Sequence, residues 1–544
     1  MVMYEGKHLK PLRKLAVLGI KVMLQMKFYR PLWTAGRYDV LSHSTICYNL
    51  LTGMSYFFED ISADVVGGIL SVERNAEIDV VHICNKLDII TEELTGFFEQ
   101  LVDIGLLTDR KYEDKDLREE RQRILSLRLK DTSTIDTKIQ RDENLADAEM
   151  DYLKRAHSKI FSLLIELTYN CSEKCIHCYN PGATRNDEEK NYRNDYGKLN
   201  LEDYKRIIDE FYELGLIRVT LSGGDPFSNP FVWEIMEYLY KRNIAFDVYT
   251  NGQNLVGKEE KLANLFPCAV GMSIYSDIPD VHDAITRVQG SFKKSISVVE
   301  NLFNRSVSIG IKCCIMHQNC KSYRGVIKIA QRFCASIQID CGIFDSLDGD
   351  LCVSRYLRLS PEELRIILRD KDLLTYVGEE IENFGKRDIL LDRNVCSAGY
   401  FSYCLTPEGK LTYCPSFPSV IGDLKKQKLG EVLSNPSLKW WRELKWSDYN
   451  ECGKEEYCKF CALCPGLNFV ANGSPLKPSE NNCYIARMRN DVFRMLLSGE
   501  DPLDGKTLEE ALSSLPEFSP CQLKRVPSVS YYNKEIMGKG DSQI

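Results

Sequence analysis

Between residues 158 and 345 the chain alternates short β-branched, apolar runs with amphipathic stretches. Candidate strands are 162–168 (SLLIELT), 217–222 (IRVTLS), 246–250 (FDVYT), 269–275 (AVGMSIY), 307–315 (VSIGIKCCI) and 336–341 (SIQIDC). In the intervening LEDYKRIIDEFYELG, the side chains of Leu201, Tyr204, Ile207, Ile208, Phe211 and Leu214 share one helical face. Asn200 is a natural N-cap for that helix and Gly215 a natural stop. Few folds accept six such units, because parallel strands need crossovers and crossovers are right-handed. The expected fold class is α/β, a partial (β/α)6 barrel of the TIM type, with its site where strands end and loops begin.

The first strand leads directly into ELTYNCSEKCIHCYNPG, which sets Cys171, Cys175 and Cys178 in a CxxxCxxC pattern at that rim. A closed tetrahedral zinc site needs four ligands, and His177 could supply the fourth. The competing reading is a [4Fe–4S] cluster with three irons held by thiolates and the fourth open to a small molecule. The second strand favours the cluster. It ends VTLSGGDPF, where Gly223 and Gly224 allow close approach to the backbone and strand-end carbonyls can accept from an ammonium group.

With these two motifs one unit apart, the sequence resembles the radical S-adenosylmethionine (SAM) superfamily over about residues 158–345. The resemblance implies that Cys171, Cys175 and Cys178 bind the cluster and that its open iron chelates the methionyl end of SAM. It puts His177 beside the adenine and makes Gly223, Gly224 and Asp225 the receiver of the methionyl ammonium, with Asp in place of the commoner Glu. Asn251 in YTNG, Ser273 in GMSIYS and Arg287 in VHDAITRVQGSF match further cofactor contacts. The implied chemistry is reductive cleavage of the sulfonium and hydrogen abstraction by a 5′-deoxyadenosyl radical. No acid–base residue can be singled out among the many polar candidates.

Of 21 cysteines, eight more fall late in the chain. Cys396, Cys404 and Cys414 lie in CSAGYFSYCLTPEGKLTYC, then Cys452, Cys458, Cys461 and Cys464 in CGKEEYCKFCALCPG, and finally Cys483. Eight thiols suffice for two sites of four, and spacing alone does not separate zinc from iron–sulfur. This region is similar to the SPASM extension, which carries two auxiliary [4Fe–4S] clusters. The family's later block generally reads Cx5Cx3C after a CxxC, whereas this one reads Cx5Cx2Cx2C, so individual thiols are not assigned to either cluster. With all eight ligating, electron relay is the natural role.

Upstream, YDVLSHSTICYNLLTGMSYFFED reads as strands broken at Thr52-Gly53, and TEELTGFFEQLVDIGLL as a helix burying Leu94, Phe97, Phe98 and Leu101. The pattern is similar to a winged-helix precursor-recognition domain of the PqqD type. Such domains capture a leader peptide as an added strand, here expected near MSYFFED. The expected organisation is 1–108 recognition domain, 109–157 charged linker (DRKYEDKDLREER holds eleven charges in thirteen residues and reads as a linker or a solvated helix), 158–365 barrel, 366–490 bridging region and SPASM domain, and 491–544 a tail without a readable motif.

A net charge of −8 argues against bulk nucleic-acid binding. LRKLAVLGIKVMLQMKFYRP is interrupted by Lys21 and Lys27 and reads as a helix burying Leu15, Leu18, Val22 and Met26; no membrane contact and a cytoplasmic location are expected. The leading functional expectation is a maturase that installs a thioether or carbon–carbon crosslink in a ribosomally made peptide. Its partners would be a precursor peptide with a leader and a low-potential electron donor such as flavodoxin or ferredoxin. A sulfatase-type maturase oxidising Cys or Ser, and a non-enzymatic zinc or iron–sulfur binding protein, are the alternatives.

Overall fold

The computed structural model describes residues 27–88, 91–131, 147–156, 160–180, 198–343, 345, 347, 356–370, 373, 394–461 and 463–516. The N-terminal helix expected around Leu15 lies outside them. Strands β1 (Thr34–Asp39), β2 (Ser44–Asn49) and β3 (Met54–Glu59) form an antiparallel meander in that order, which leaves β3 at an edge. Helices α1 (Asp60–Ser71), α2 (Val80–Leu87) and α3 (Thr91–Asp103) follow. Leu94, Phe97, Phe98 and Leu101 of α3 are buried against this sheet and α1, as their spacing requires.

Over its described residues, 109–131 and 147–156, the expected linker is largely helical and partly buried. Helix α4 (Asp114–Asp131) buries Leu117, Arg121 and Ile124, and α5 (Asp147–Arg155) packs on β2 and β3. The Arg121 guanidinium donates to Ala263 O at 2.8 Å, and Arg128 donates to Leu51 O and Ser306 O at 3.2 Å each. The charge count misled because arginines occupy the inward positions of the stripe, where their stems pack and their heads cap carbonyls.

Six parallel strands then form the barrel sheet: β4 (Ser162–Thr168), β5 (Arg218–Gly223), β6 (Ala245–Thr250), β7 (Ala269–Ser273), β8 (Ile309–Cys314) and β9 (Ser336–Asp340). Helices α6 (Leu201–Glu213), α7 (Val232–Lys241), α9 (Ser291–Phe303) and α10 (Tyr323–Arg332) cover one face of the sheet, while α8 (Pro279–Thr286) packs at the rim with Ile176, Tyr275 and Met316. The capping box on α6 pairs Asn200 with Asp203. Leu214 falls just beyond the helix and is exposed, so it leaves the expected face. Along β8, Ile309, Ile311 and Cys313 enter the core, while Gly310, Lys312 and Cys314 alternate to the other face, the period of two that a strand imposes.

Two features were not legible beforehand. The hairpin strands β10 (Ser402–Leu405), β11 (Lys410–Cys414) and β12 (Phe417–Asp423) join the barrel sheet, with β10 parallel to β4 and Cys404 opposite Leu164. The N-terminal module seats its Trp33, Ala35, Ile46 and Leu50 against Phe161, Ile217, Ala245 and Phe266, which lie just ahead of or at the start of β4 to β7. It therefore closes the end of the barrel opposite the strand-end rim. Beyond the sheet, α11 (Pro361–Ile367) and α12 (Glu480–Ser498) pack together. Among the described residues no helix is long and apolar enough to cross a membrane.

Candidate functional site

β4 delivers the cysteine loop to the rim, and backbone hydrogen bonds fix it there. Lys174 N donates to Thr286 O and Ile176 N to Ile285 O, both at 2.9 Å, which pins the loop to the end of α8. Gly224 N donates to Thr168 O at 2.6 Å and Asp225 N to Asn170 O at 3.0 Å, so the Gly-Gly-Asp turn is stitched to the residues just before Cys171. An added Cβ on Gly224 would meet the carbonyl oxygens of Asn170 and Tyr169 at well under 3.0 Å. Gly223 has φ +122° and a similar clash with Thr168 O. Both positions require glycine for close backbone approach.

Around this turn the candidate residues separate. Asn251 is 6% exposed and its Nδ2 donates to Cys171 Sγ at 3.2 Å, so it orients a thiol. Asn180 Nδ2 donates to Gly223 O at 3.0 Å. Asp225 is fully buried and accepts from Thr250 Oγ1 at 2.6 Å and Asn254 Nδ2 at 2.7 Å. Its carboxylate is thus engaged by the protein, and burial holds its pKa above the usual range. Ser273 is the register partner of Lys312 at the same level of the sheet. Arg287 ends α8 in the left-handed conformation, φ 57°, and its side chain is exposed; the two residues before it, Ile285 and Thr286, hold the cysteine loop. The helix-terminating role explains its conformation.

Beside the thiols lies a stack of rings. His177 meets Tyr275 edge-on at 4.6 Å, and Tyr275 stacks on His282 at 5.5 Å. His177 Nδ1 is buried with no hydrogen-bond partner, the state expected of a group that awaits one. His282 Nδ1 accepts from Tyr275 N at 3.2 Å, which fixes its proton on Nε2. Burial pushes both imidazoles down to about 4. Between that value and the usual 6.5, the unfolded chain takes up protons that the fold refuses, so stability falls on acidification through this window. His282→Asn keeps an acceptor for Tyr275 N. It should therefore lose about 2 kcal/mol less than the wild type between pH 7 and pH 5 in denaturant titrations.

Sequence reasoning missed Glu166, a lone carboxylate within the apolar SLLIELT strand and readable as an anomaly there. Its side chain is buried, accepts from Tyr169 O–H at 2.9 Å, and is pushed up to about 7 by desolvation. It lies close enough to Cys404 to raise that thiol after burial has done so. Tyr179 senses Glu166, Cys178, Cys404 and Cys414 together, so these residues bridge the rim and the second thiol group.

The eight later thiols divide in two. Cys414 has Cys464 and Cys396 as its electrostatic neighbours, and Cys404 has Cys414. Cys461 instead has Cys483, Cys452 and Cys458. Cys452 and Cys483 both sense Cys458. One group is therefore Cys396, Cys404, Cys414 and Cys464, the other Cys452, Cys458, Cys461 and Cys483. The chain crosses between them at Cys461 and Cys464. Among the described residues no set of three or more His, Cys, Asp and Glu side chains closes on a metal ion. Thiol-only donors, the cradle at Gly223–Gly224 and the orphaned His177 Nδ1 fit clusters and a bound cofactor.

Residues 165–319 match the radical SAM superfamily model. The chain carries a radical SAM domain. Residues 396–465 match the SPASM iron–sulfur cluster-binding domain, so the radical SAM barrel is followed by a SPASM domain, and the cofactors are [4Fe–4S] clusters and SAM. This radical SAM chain is 22% identical over 347 residues to the antilisterial bacteriocin subtilosin biosynthesis protein AlbA of Bacillus subtilis, covering 61% of this chain and 72% of that protein. It is 25% identical over 336 residues to mycofactocin maturase MftC of Mycolicibacterium smegmatis, covering 58% and 81%. The structure of Streptococcus suis SuiB bound to its precursor peptide SuiA aligns with TM-score 0.48 at 15% identity over 84% of this chain and all of that one.

Proposed function

We propose that this protein is a radical SAM peptide maturase that installs a thioether or carbon–carbon crosslink in a ribosomally made precursor. The observation that carries the reading is the continuous sheet that places a three-thiol rim beside a domain of two four-thiol groups. Similarity to proteins named for bacteriocin biosynthesis and mycofactocin maturation supports it. The unpaired outer side of β3 supports capture of a leader as an added strand.

Cys171, Cys175 and Cys178 would hold the rim cluster, and the other two groups the auxiliary ones. When bound, the cluster and SAM supply reductive cleavage of the sulfonium and abstraction of a hydrogen atom from an unactivated C–H bond. The protein supplies position. Asn251 orients the Cys171 sulfur, and Gly223 and Gly224 open backbone room for the methionyl end. Asp225 holds the turn through Thr250 and Asn254, and His177 with Tyr275 offers a ring surface to the adenine. Glu166 Oε2, hydrogen-bonded to Tyr169, holds or releases a proton near neutrality beside Cys404. A flavodoxin or ferredoxin would deliver the electron.

The test is anaerobic reconstitution with iron and sulfide, reduction with dithionite, and addition of SAM. The reduced protein's magnetic resonance signal should change and 5′-deoxyadenosine should accumulate. An unaltered signal with no deoxyadenosine, or about two zinc ions per chain in place of iron, would overturn the reading.

A further inference from the structure

The second auxiliary group sits against α12. That helix contributes Cys483 in its first turn and, six residues later, Arg489. The same helix is tied to the barrel: Asn481 Nδ2 donates to Ile343 O at 3.2 Å and Tyr484 O–H to Leu359 O at 2.9 Å. The Arg489 guanidinium, partly buried, donates through Nη1 to Phe460 O at 3.2 Å, the carbonyl immediately before Cys461. It also lines one small cavity with Ile485, Asp340 and Cys341, at the rim end of β9. A single fixed positive charge thus stands between an auxiliary thiol group and a carboxylate of the barrel.

We propose that Arg489 is a positioning residue that sets the reduction potential of the group held by Cys452, Cys458, Cys461 and Cys483, with Asp340 as its counter-charge on the barrel. The proposal rests on the reading that this group holds an iron–sulfur cluster. Adding an electron there increases negative charge, which a nearby cation stabilises and a nearby carboxylate opposes. Arg489 holds the Phe460 carbonyl next to Cys461 and lines the same small cavity as Asp340, so its charge lies close to both. Two other charged side chains near the group lie at the surface. Arg487 and Glu451, which influence Cys483, are both exposed and screened by solvent. The hydrogen bond of Arg489 reaches the chain beside Cys461, whereas Cys404 of the first group lies opposite Leu164 on β4, the strand that carries Glu166.

The experiment uses the full chain with Cys171, Cys175 and Cys178 all replaced by Ala, so that only the auxiliary sites report. Redox titration followed by electron paramagnetic resonance should resolve two midpoints. Arg489→Met should lower one of them by a tenfold change in the ratio of reduced to oxidised protein, 59 mV for one electron, and leave the other in place. Arg489→Lys should lie near the parent, and Asp340→Asn should raise the same midpoint. Should Arg489→Met not retain its iron, Asp340→Asn decides: an unmoved midpoint overturns the proposal. So does an Arg489→Met protein whose midpoints coincide with the parent's or shift together. Absence of auxiliary signals in the parent would instead overturn the iron–sulfur reading itself.

Discussion

Gly224→Ala should retain the folded barrel and lose SAM cleavage by about 100-fold, the scale set by a displacement of roughly 1 Å at a reacting centre. The new methyl carbon would collide with the carbonyl oxygens of Tyr169 and Asn170, and neither is the far end of a flexible side chain. Backbone must move, and the backbone in question leads directly to Cys171. Two hydrogen bonds, Gly224 N to Thr168 O and Asp225 N to Asn170 O, carry the shift across the turn. Overpacking costs of about 1–3 kcal/mol are typical, and that energy is withdrawn at the cofactor's cradle rather than in the core. Measured together, 5′-deoxyadenosine production and the SAM-induced change in the magnetic signal should fall, while far-ultraviolet circular dichroism stays. Gly290→Ala is the control for glycine itself: its Cβ would meet nothing within 4 Å, and only its φ of +80° is strained.

Cys461→Ser and Cys464→Ser, three residues apart, should each cost about four irons per chain, but from different sites. Cys461 keeps company with Cys452, Cys458 and Cys483, whereas Cys464 reaches back to Cys414 on β11. The double variant should therefore lose about eight irons. Were both thiols in one group, the double would lose no more than either single. Iron analysis with the two auxiliary resonance signals distinguishes these outcomes. Cys464→Ser should also disturb the hairpin more, because Gly466 is packed so closely on Ser416 and Phe417 that a Cβ would clash there.

Much of the barrel could be read in advance because its strands are buried on the helix-covered face and bounded by strong turn residues. The observed limits of β4 coincide with the expected 162–168, and β8 is shorter than 307–315 because its ends turn into loops. The glycine turn and the cysteine loop were legible because their chemistry resides in local spacing. What escaped depends on distant pairing. Nothing in FSYCLTPEGKLTYC announces that β10 will lie parallel to β4, and nothing in the spacing of Cys452 to Cys464 reveals where the chain crosses between groups. Arg287 also forms the left-handed cap of α8, a backbone role that its motif does not announce. Glu166 and the buried face of α4 were missed for related reasons: a charged side chain is discounted as surface until the partners that bury it are known.

Ribosomal synthesis proceeds from the amino end, and β4 gains its second neighbour only when residues 402–405 have emerged. Until then the strand that carries the cysteine loop is an open edge, prone to pair with a stranger. Its sulfurs thus sit on an unfinished scaffold until β10 has been made, and the complete rim is assembled only after the hairpin is synthesised.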